Sequence, residues 1–262
     1  MDDGGIDTTQ AHSARVWNYW LGGKEYYEAD RVAGDSILRV YPGIQRTARF
    51  QRQFLGRAVR YLVREAGVRQ FLDIGTGLPT VDNTHEVAQR VAPECRVVYV
   101  DNDPLVLAHA RALLTSTPDG HTTYLDCDVR DHEQLMRRAA ESLDLSQPVA
   151  VMMLGVLGHL QDSDRPAGIV RAVMDALPSG SHLAISDGTR TNEVLTDATD
   201  DYNANLAGEY TLRTPRDVAR FFDGLRLLEP GVVTIERWRP EHPVLAEQEE
   251  PVDAVCGLAV KP

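Results

Sequence analysis

Two hydrophobic periods divide the chain. From residue 70 onward, short apolar runs rich in β-branched residues alternate with segments whose apolar positions recur every three or four residues. The runs are QFLDI (70–74), RVVYV (96–100), TTYLD (122–126), PVAVMML (148–154) and SHLAISD (181–187). Helical spacing is predicted near 84–91, 104–114, 131–143 and 164–177. Alternation of this kind implies βαβ units and a parallel sheet covered on both faces. The fourth run is apolar nearly throughout, as a central parallel strand requires. After residue 188 the pattern predicts a polar stretch, then a helix opened by Thr214-Pro215, a good N-cap and first-turn pair. Two strands are predicted last, GVVTIERW (231–238) and AVCGLAV (254–260), joined by an acidic, proline-containing link into an antiparallel hairpin at the sheet edge.

Before residue 70 the period is helical throughout. Residues 1–10 are expected to be a disordered leader, followed by helices over 13–21 and 26–40, separated by Gly22-Gly23. Phe50, Phe54, Leu55, Ala58, Val59, Leu62 and Val63 then lie on one face of a helix over 45–66, which Gly67 stops. The expected organisation is an N-terminal helical extension over 1–44 and an α/β domain over 45–262.

Net charge changes the range of functions. At -12 the chain should not hold a polyanion by bulk electrostatics, so no nucleic-acid partner is expected. Cys95, Cys127 and Cys256 are odd in number and widely spaced, which fits a reducing compartment. The longest apolar run, Val149–Gly158, is too short to cross a bilayer, and the polar start is unlike a signal peptide. A cytoplasmic protein without membrane contact is expected.

Candidate chemistry begins where the first run ends, in FLDIGTGLPT (71–80). In an open α/β sheet, ligands bind at the carboxyl ends of the strands, and glycines there let backbone approach them closely. A dinucleotide fingerprint requires a third glycine at position 80, where this chain has Thr80 after Pro79. Asp73, just before the turn, would repel a pyrophosphate and attract a cation. S-adenosylmethionine, which carries a sulfonium and an ammonium and no phosphate, fits better. Asp101, at the tip of the second run, is placed to accept hydrogen bonds from ribose hydroxyls. Thr76 and Asn102 flank these positions. Asp128 is a candidate acceptor for the adenine amino group, with Val129 against the ring. Leu154 and Gly155 would run along the cofactor. Gly75 and Gly77 alone are equally consistent with a tight structural turn.

These motifs resemble the class I S-adenosylmethionine-dependent methyltransferases over residues 45–262. SARVWNYWLGGKEYYEADR, FLDIGTGLPT and VYVDNDP together resemble, more closely, an actinobacterial S-adenosyl methyltransferase family long classed as a domain of unknown function. That resemblance implies a Rossmann-like, doubly wound sheet of seven strands, mostly parallel with an antiparallel last strand. It also implies S-adenosylmethionine binding. A small-molecule methyl acceptor is expected. A non-catalytic binder of the cofactor and a nicotinamide-dependent oxidoreductase are the alternatives.

Two further features have competing readings. His159 follows the fourth strand, where it is either an ordinary helix-start histidine or a base for the acceptor. WNYWLGGKEYY (17–27) lacks the first glycine and the Ser/Thr of a phosphate loop. It is either a helix–turn–helix packing face or a lid, with Arg15, Tyr19, Gly22, Gly23, Lys24 and Tyr27 toward cofactor or substrate. HEVAQ (85–89) has Gln89 where a zinc motif needs histidine, so no metal is expected.

Overall fold

A computed structural model describes residues 7–113, 115–204, 210–241 and 251–262. Three helices come first: α1 (Ser13–Trp20), α2 (Glu28–Val40) and α3 (Ile44–Arg64). The alternating region follows as β1 (Gln70–Ile74), α4 (Thr84–Val91), β2 (Arg96–Asp101), α5 (Pro104–Leu113), β3 (His121–Asp126), α6 (His132–Ala139), β4 (Ala150–Leu154), α7 (Pro166–Asp175) and β5 (His182–Gly188). The remainder is α8 (Glu193–Asn203), α9 (Pro215–Ala219), β6 (Arg226–Leu227), β7 (Val233–Thr234) and β8 (Ala254–Val260).

The sheet runs β3-β2-β1-β4-β5-β8-β6, with β7 also paired to β8. The first five strands are parallel, and β8 is antiparallel to β5. β6 and β7 pair with opposite ends of β8, so eight strands occupy seven positions. Strand order reverses between β1 and β4, which opens a crevice at the carboxyl ends of those strands. Every residue of β1 and β8 is buried, including the polar Gln70 and Asp73 of β1.

Each face of the sheet carries its own core. On one face, Phe54, Leu62, Phe71 and Tyr99 pack with the fully buried Trp238; on the other, Leu72, Val151 and Leu183 pack with Leu135, Val173 and Phe222. A third cluster, separate from both, joins Val16, Trp20, Ile37, Ile44 and Ala48 to Ala198 and Tyr202 of α8. It forms a roof of α1, α2, α8 and the start of α3. The roof is tied to the sheet by Asp253, which accepts hydrogen bonds from Tyr41 (2.8 Å), Thr191 (2.7 Å) and Asn192 (3.2 Å).

Three expectations need correction. The polar stretch after residue 188 contains α8, capped by Asn192, whose side chain accepts from the Val194 N–H. The strand expected over 231–238 is cut to Val233–Thr234 and becomes a 3-10 turn, Ile235–Arg237. There the buried Arg57 guanidinium of α3 takes the carbonyls of Ile235 and Trp238, which a ladder would have used. Of the expected leader, residues 1–6 lie outside the described residues. Residues 7–10 are engaged, since the Asp7 and Gln10 carbonyls accept from Arg15. The acidic link falls largely on 242–250, also outside the described residues.

Candidate active site

β1 delivers Asp73 to the crevice and then turns sharply. Gly75 (φ +71°) and Gly77 (φ +66°) take the left-handed conformation that side chains disfavour. At Gly75 a Cβ would meet Val156 Cγ2 at 2.6 Å. The Gly75 and Thr76 N–H groups both donate to the Val100 carbonyl, so the loop stays pinned to β2. The Thr76 hydroxyl donates back to the Asp73 carbonyl at 3.0 Å.

At the tip of β2, Asp101 Oδ2 accepts from the Gly77 N–H at 2.9 Å and Oδ1 from the Asp103 N–H at 3.0 Å. A carboxylate has about four lone-pair sites, so each oxygen retains one for a ribose hydroxyl. Asn102 donates to Asp128 at 3.3 Å, and Arg130 holds Asp128 at 3.0 Å and Asp164 at 3.2 Å. Val129 is buried beside them. Leu154 and Gly155 leave β4 opposite, and the Gly155 N–H donates to the Ser186 carbonyl. Asp73, Gly75, Thr76, Gly77, Asp101, Asn102, Asp128, Val129, Leu154 and Gly155 therefore line one cavity of about 550 Å³.

Burial sets the electrostatics. Asp73 is pushed up to about 6 by desolvation, which the Thr84 hydroxyl at 2.5 Å and the charge of Arg52 only partly offset. Asp101 is also raised by burial, against the two amides that hold it. A carboxylate in such a place gains from a cationic ligand.

The donor set suits a phosphate-free cofactor. A pyrophosphate would need the open amides of a helix N-terminus. Here Leu78–Asn83 separates Gly77 from α4, and the first turn of α4 is already capped reciprocally by Asn83 and Glu86. The His85 N–H is taken by the buried Tyr99 hydroxyl at 2.8 Å. Arg52 gives Nη2 to the carbonyls of Val81 and Asp82, and its charge is already set against Asp73. Asp73, Asp101 and Asp128 instead present three carboxylates along one rim, which matches a sulfonium, an ammonium and two ribose hydroxyls. S-adenosylmethionine fits these residues and a dinucleotide does not.

His159 ends a 3-10 turn after β4 and lines the same cavity, with its ring edge-on to Tyr210 at 4.9 Å. The N-terminal residues divide differently from the sequence expectation. Ala11, His12, Ser13, Ala14, Trp17 and Leu21 line the cavity. Arg15, Tyr19, Gly22, Gly23, Lys24 and Tyr27 stand outside its wall. Arg15 is consumed by the buried Asp30 at 2.9 Å, and the Tyr19 hydroxyl by Asp35 at 2.5 Å. Gly22 and Gly23 cap α1, whose Asn18 side chain would be struck by a Cβ at Gly23. Lys24 is exposed, and Tyr27 lies outside, 5.3 Å under the Arg15 guanidinium.

Sequence reasoning passed over His12, Gln51, Asp187, Tyr202 and Tyr210, all in the cavity wall. His12 reaches Asp103 at 2.9 Å and joins the roof to the β2 tip. Asp187 is the penultimate residue of β5 as Asp73 is of β1, and an aspartate at the end of each run was the available signal. Tyr210 and Gln51 carried none, because only folding brings them to β5: Tyr210 donates to Asp187 Oδ1 and Gln51 to Ser186 Oγ at 3.1 Å. Among the described residues, no helix is long and apolar enough to cross a membrane.

The sequence matches the S-adenosyl methyltransferase family over residues 2–262. A DUF574 family protein of known structure from Streptomyces avermitilis is 43% identical, covering 98% of this chain and 99% of that one, with a TM-score of 0.93. A candidate methyltransferase from Thermobifida fusca is 40% identical, covering 99% and 98%, with a TM-score of 0.89. The plantazolicin methyltransferase BpumL, solved with a triazolic desmethylPZN analog and S-adenosylhomocysteine, shares the fold at 12% identity, covering 95% and 96%, with a TM-score of 0.56. No curated protein matches the chain.

Proposed function

The chain belongs to the S-adenosyl methyltransferase family, and on that premise we propose that it transfers the methyl group of S-adenosylmethionine to a small molecule in the cytoplasm. The observation that carries the reading is the acidic, phosphate-excluding rim of Asp73, Asp101 and Asp128 around the Gly75–Gly77 turn, in one cavity with a separate, largely apolar space. When bound, the cofactor supplies an electrophilic methyl group that needs alignment more than activation.

Each group in the wall has a part. Asp101 holds the ribose, Asp128 with Asn102 and Val129 holds the adenine, and Asp73 with Thr76 faces the cationic end. Leu154 and Gly155 give the cofactor a surface to lie on. His159 stands where an acceptor's proton can be taken up. Residues 1–44 act as the cover that excludes water, and 45–262 form the methyltransferase domain. The acidic chain and enclosed roof favour a small acceptor over a nucleic acid. Three buried, unpaired cysteines accord with a reducing compartment.

Calorimetric titration with S-adenosylmethionine and S-adenosylhomocysteine, with NADH as control and Asp101→Ala in parallel, tests the cofactor site. Binding of both sulfur compounds, weakened in the variant and absent for NADH, is the expected result. No binding by protein confirmed free of co-purified cofactor would sink the reading.

A further inference from the structure

Beyond the acidic rim the cavity continues beneath the roof. Its walls there are Trp17, Trp20, Ile37, Ile44, Leu195 and Tyr202, with Asp187 and Asp253 at the tips of β5 and β8. No Lys or Arg side chain lines this arm among the described residues. The two arginines in the cavity wall are engaged elsewhere, Arg52 with the carbonyls of Val81 and Asp82, and Arg130 with Asp128 and Asp164.

Asp187 is 3% exposed, and its two oxygens are unequal. Oδ1 accepts from the Tyr210 hydroxyl and from the Gly188 N–H at 3.1 Å. Oδ2 is buried without a hydrogen-bond partner, although the Gly158 N–H is near enough to act on the carboxylate. A buried carboxylate oxygen left unmatched is costly, and a charged donor relieves it. Arg213, whose charge acts on Asp187, gives its hydrogen bonds instead to the carbonyls of Leu157 and Leu160 and to Asp162. Asp253 is satisfied by three neutral donors and meets no cationic partner among the described residues.

We infer that the methyl acceptor is an apolar amine, its ammonium drawn to Asp187 and its hydrocarbon or ring enclosed by Trp17, Trp20 and Tyr202. This rests on the methyltransferase reading and names the substrate class for the same cavity. Aromatic faces attract a cation in addition to covering apolar surface. Two carboxylates in an arm that no described Lys or Arg lines disfavour an acceptor bearing carboxylate or phosphate. The proton balance closes within the wall. The ammonium gives one proton to His159, the freed nitrogen lone pair forms the N–CH3 bond, and the S–CH3 electron pair returns to sulfur. The product leaves as a methylammonium, and His159 returns its proton to water.

The test is calorimetric binding to protein saturated with S-adenosylhomocysteine at neutral pH, so no turnover is needed. The probes are two matched sets: tryptamine, tryptophol and indole-3-acetate, and phenethylamine, 2-phenylethanol and phenylacetate. Each amine should bind at least about tenfold more tightly than its alcohol and its acid. Asp187→Asn should erase that preference while S-adenosylhomocysteine still binds, and Tyr210→Phe, which keeps the carboxylate, should retain it. The amine–alcohol comparison needs no variant and stands even if Asp187→Asn fails to fold. Alcohols or acids binding as well as amines, or no amine binding while S-adenosylhomocysteine does, would overturn the amine and leave the methyltransferase reading standing. Loss of S-adenosylhomocysteine binding in the unaltered protein would remove both.

Discussion

The Gly77 N–H donates to Asp101 Oδ2 at 2.9 Å, so the glycine turn after β1 and the acidic tip of β2 are one unit. The same carboxylate that is placed for the ribose also sets the shape of the loop that faces the rest of the cofactor. Asp101→Ala should therefore weaken S-adenosylmethionine by more than the lost ribose contacts. Charge-assisted hydrogen bonds of about 1.5–3 kcal/mol each imply a fall on the order of a hundredfold or more. Calorimetry with a melting curve as fold control checks it; a fall under about tenfold would remove Asp101 from the ribose role.

Asp73 predicts a pH dependence. Burial raises it to about 6 from an ordinary 3.8, so the empty protein binds this proton more tightly than the unfolded chain does. Stability of the empty protein should fall as pH rises from about 4 to 6, because the native state holds the extra proton there. A cationic ligand needs the charged form, so binding releases the proton. S-adenosylmethionine should bind about tenfold more weakly near pH 5 than near pH 8. Calorimetry in buffers of different ionisation enthalpy measures the proton released. A flat profile would take Asp73 away from the cationic end.

Arg15 and Asp30 predict where the roof is held. Their side chains are 4% and 0% exposed and lie 2.9 Å apart. Removing one partner leaves the other buried and uncompensated, typically at about 3–5 kcal/mol. Asp30→Ala should lower the melting temperature and speed cleavage near residues 7–12, since Arg15 also holds the carbonyls of Asp7 and Gln10. Unchanged melting and unchanged proteolysis would show that the roof is anchored elsewhere.

Gly158 packs behind Tyr210 of the cavity wall. A Cβ there would lie 2.3 Å from the Tyr210 ring, which sits against Asp187 and His159. Gly158→Ala should displace Tyr210 and weaken amine probes at least about tenfold, with S-adenosylhomocysteine affinity changed by less than about threefold. Equal losses of both ligands would mean that the two ends are not separable.

Much of this arrangement was legible because it is local. The apolar runs that became β1 to β5 report their own burial, and Asp73 and Asp101 sit at strand tips that those runs define. The helix α8 escaped notice because its buried face is Leu195, Ala198, Thr199 and Tyr202, helical in spacing but weak in hydrophobicity. The strand over 231–238 failed for a distant reason, since Arg57 takes its carbonyls from far back in the chain. The N-terminal motif misled by its chemistry. Arg15 and Tyr19 are conspicuous in sequence, but each meets a carboxylate inside the hairpin, and the plainer Ala14 and Trp17 reach the cavity.

The tie between Tyr41 and Asp253 spans 212 positions of sequence. Contacts of such separation carry a high loop-closure cost and form after the elements that bring them together. Asp253 reaches its place only when β8 has inserted between β5 and the short strands at the edge. Hydrogen exchange during refolding should therefore protect β1, β4 and β5 before α1 and α2; the reverse order would contradict this. The helices α1 and α2 are the last to settle, and the pocket spends its early life as an open floor.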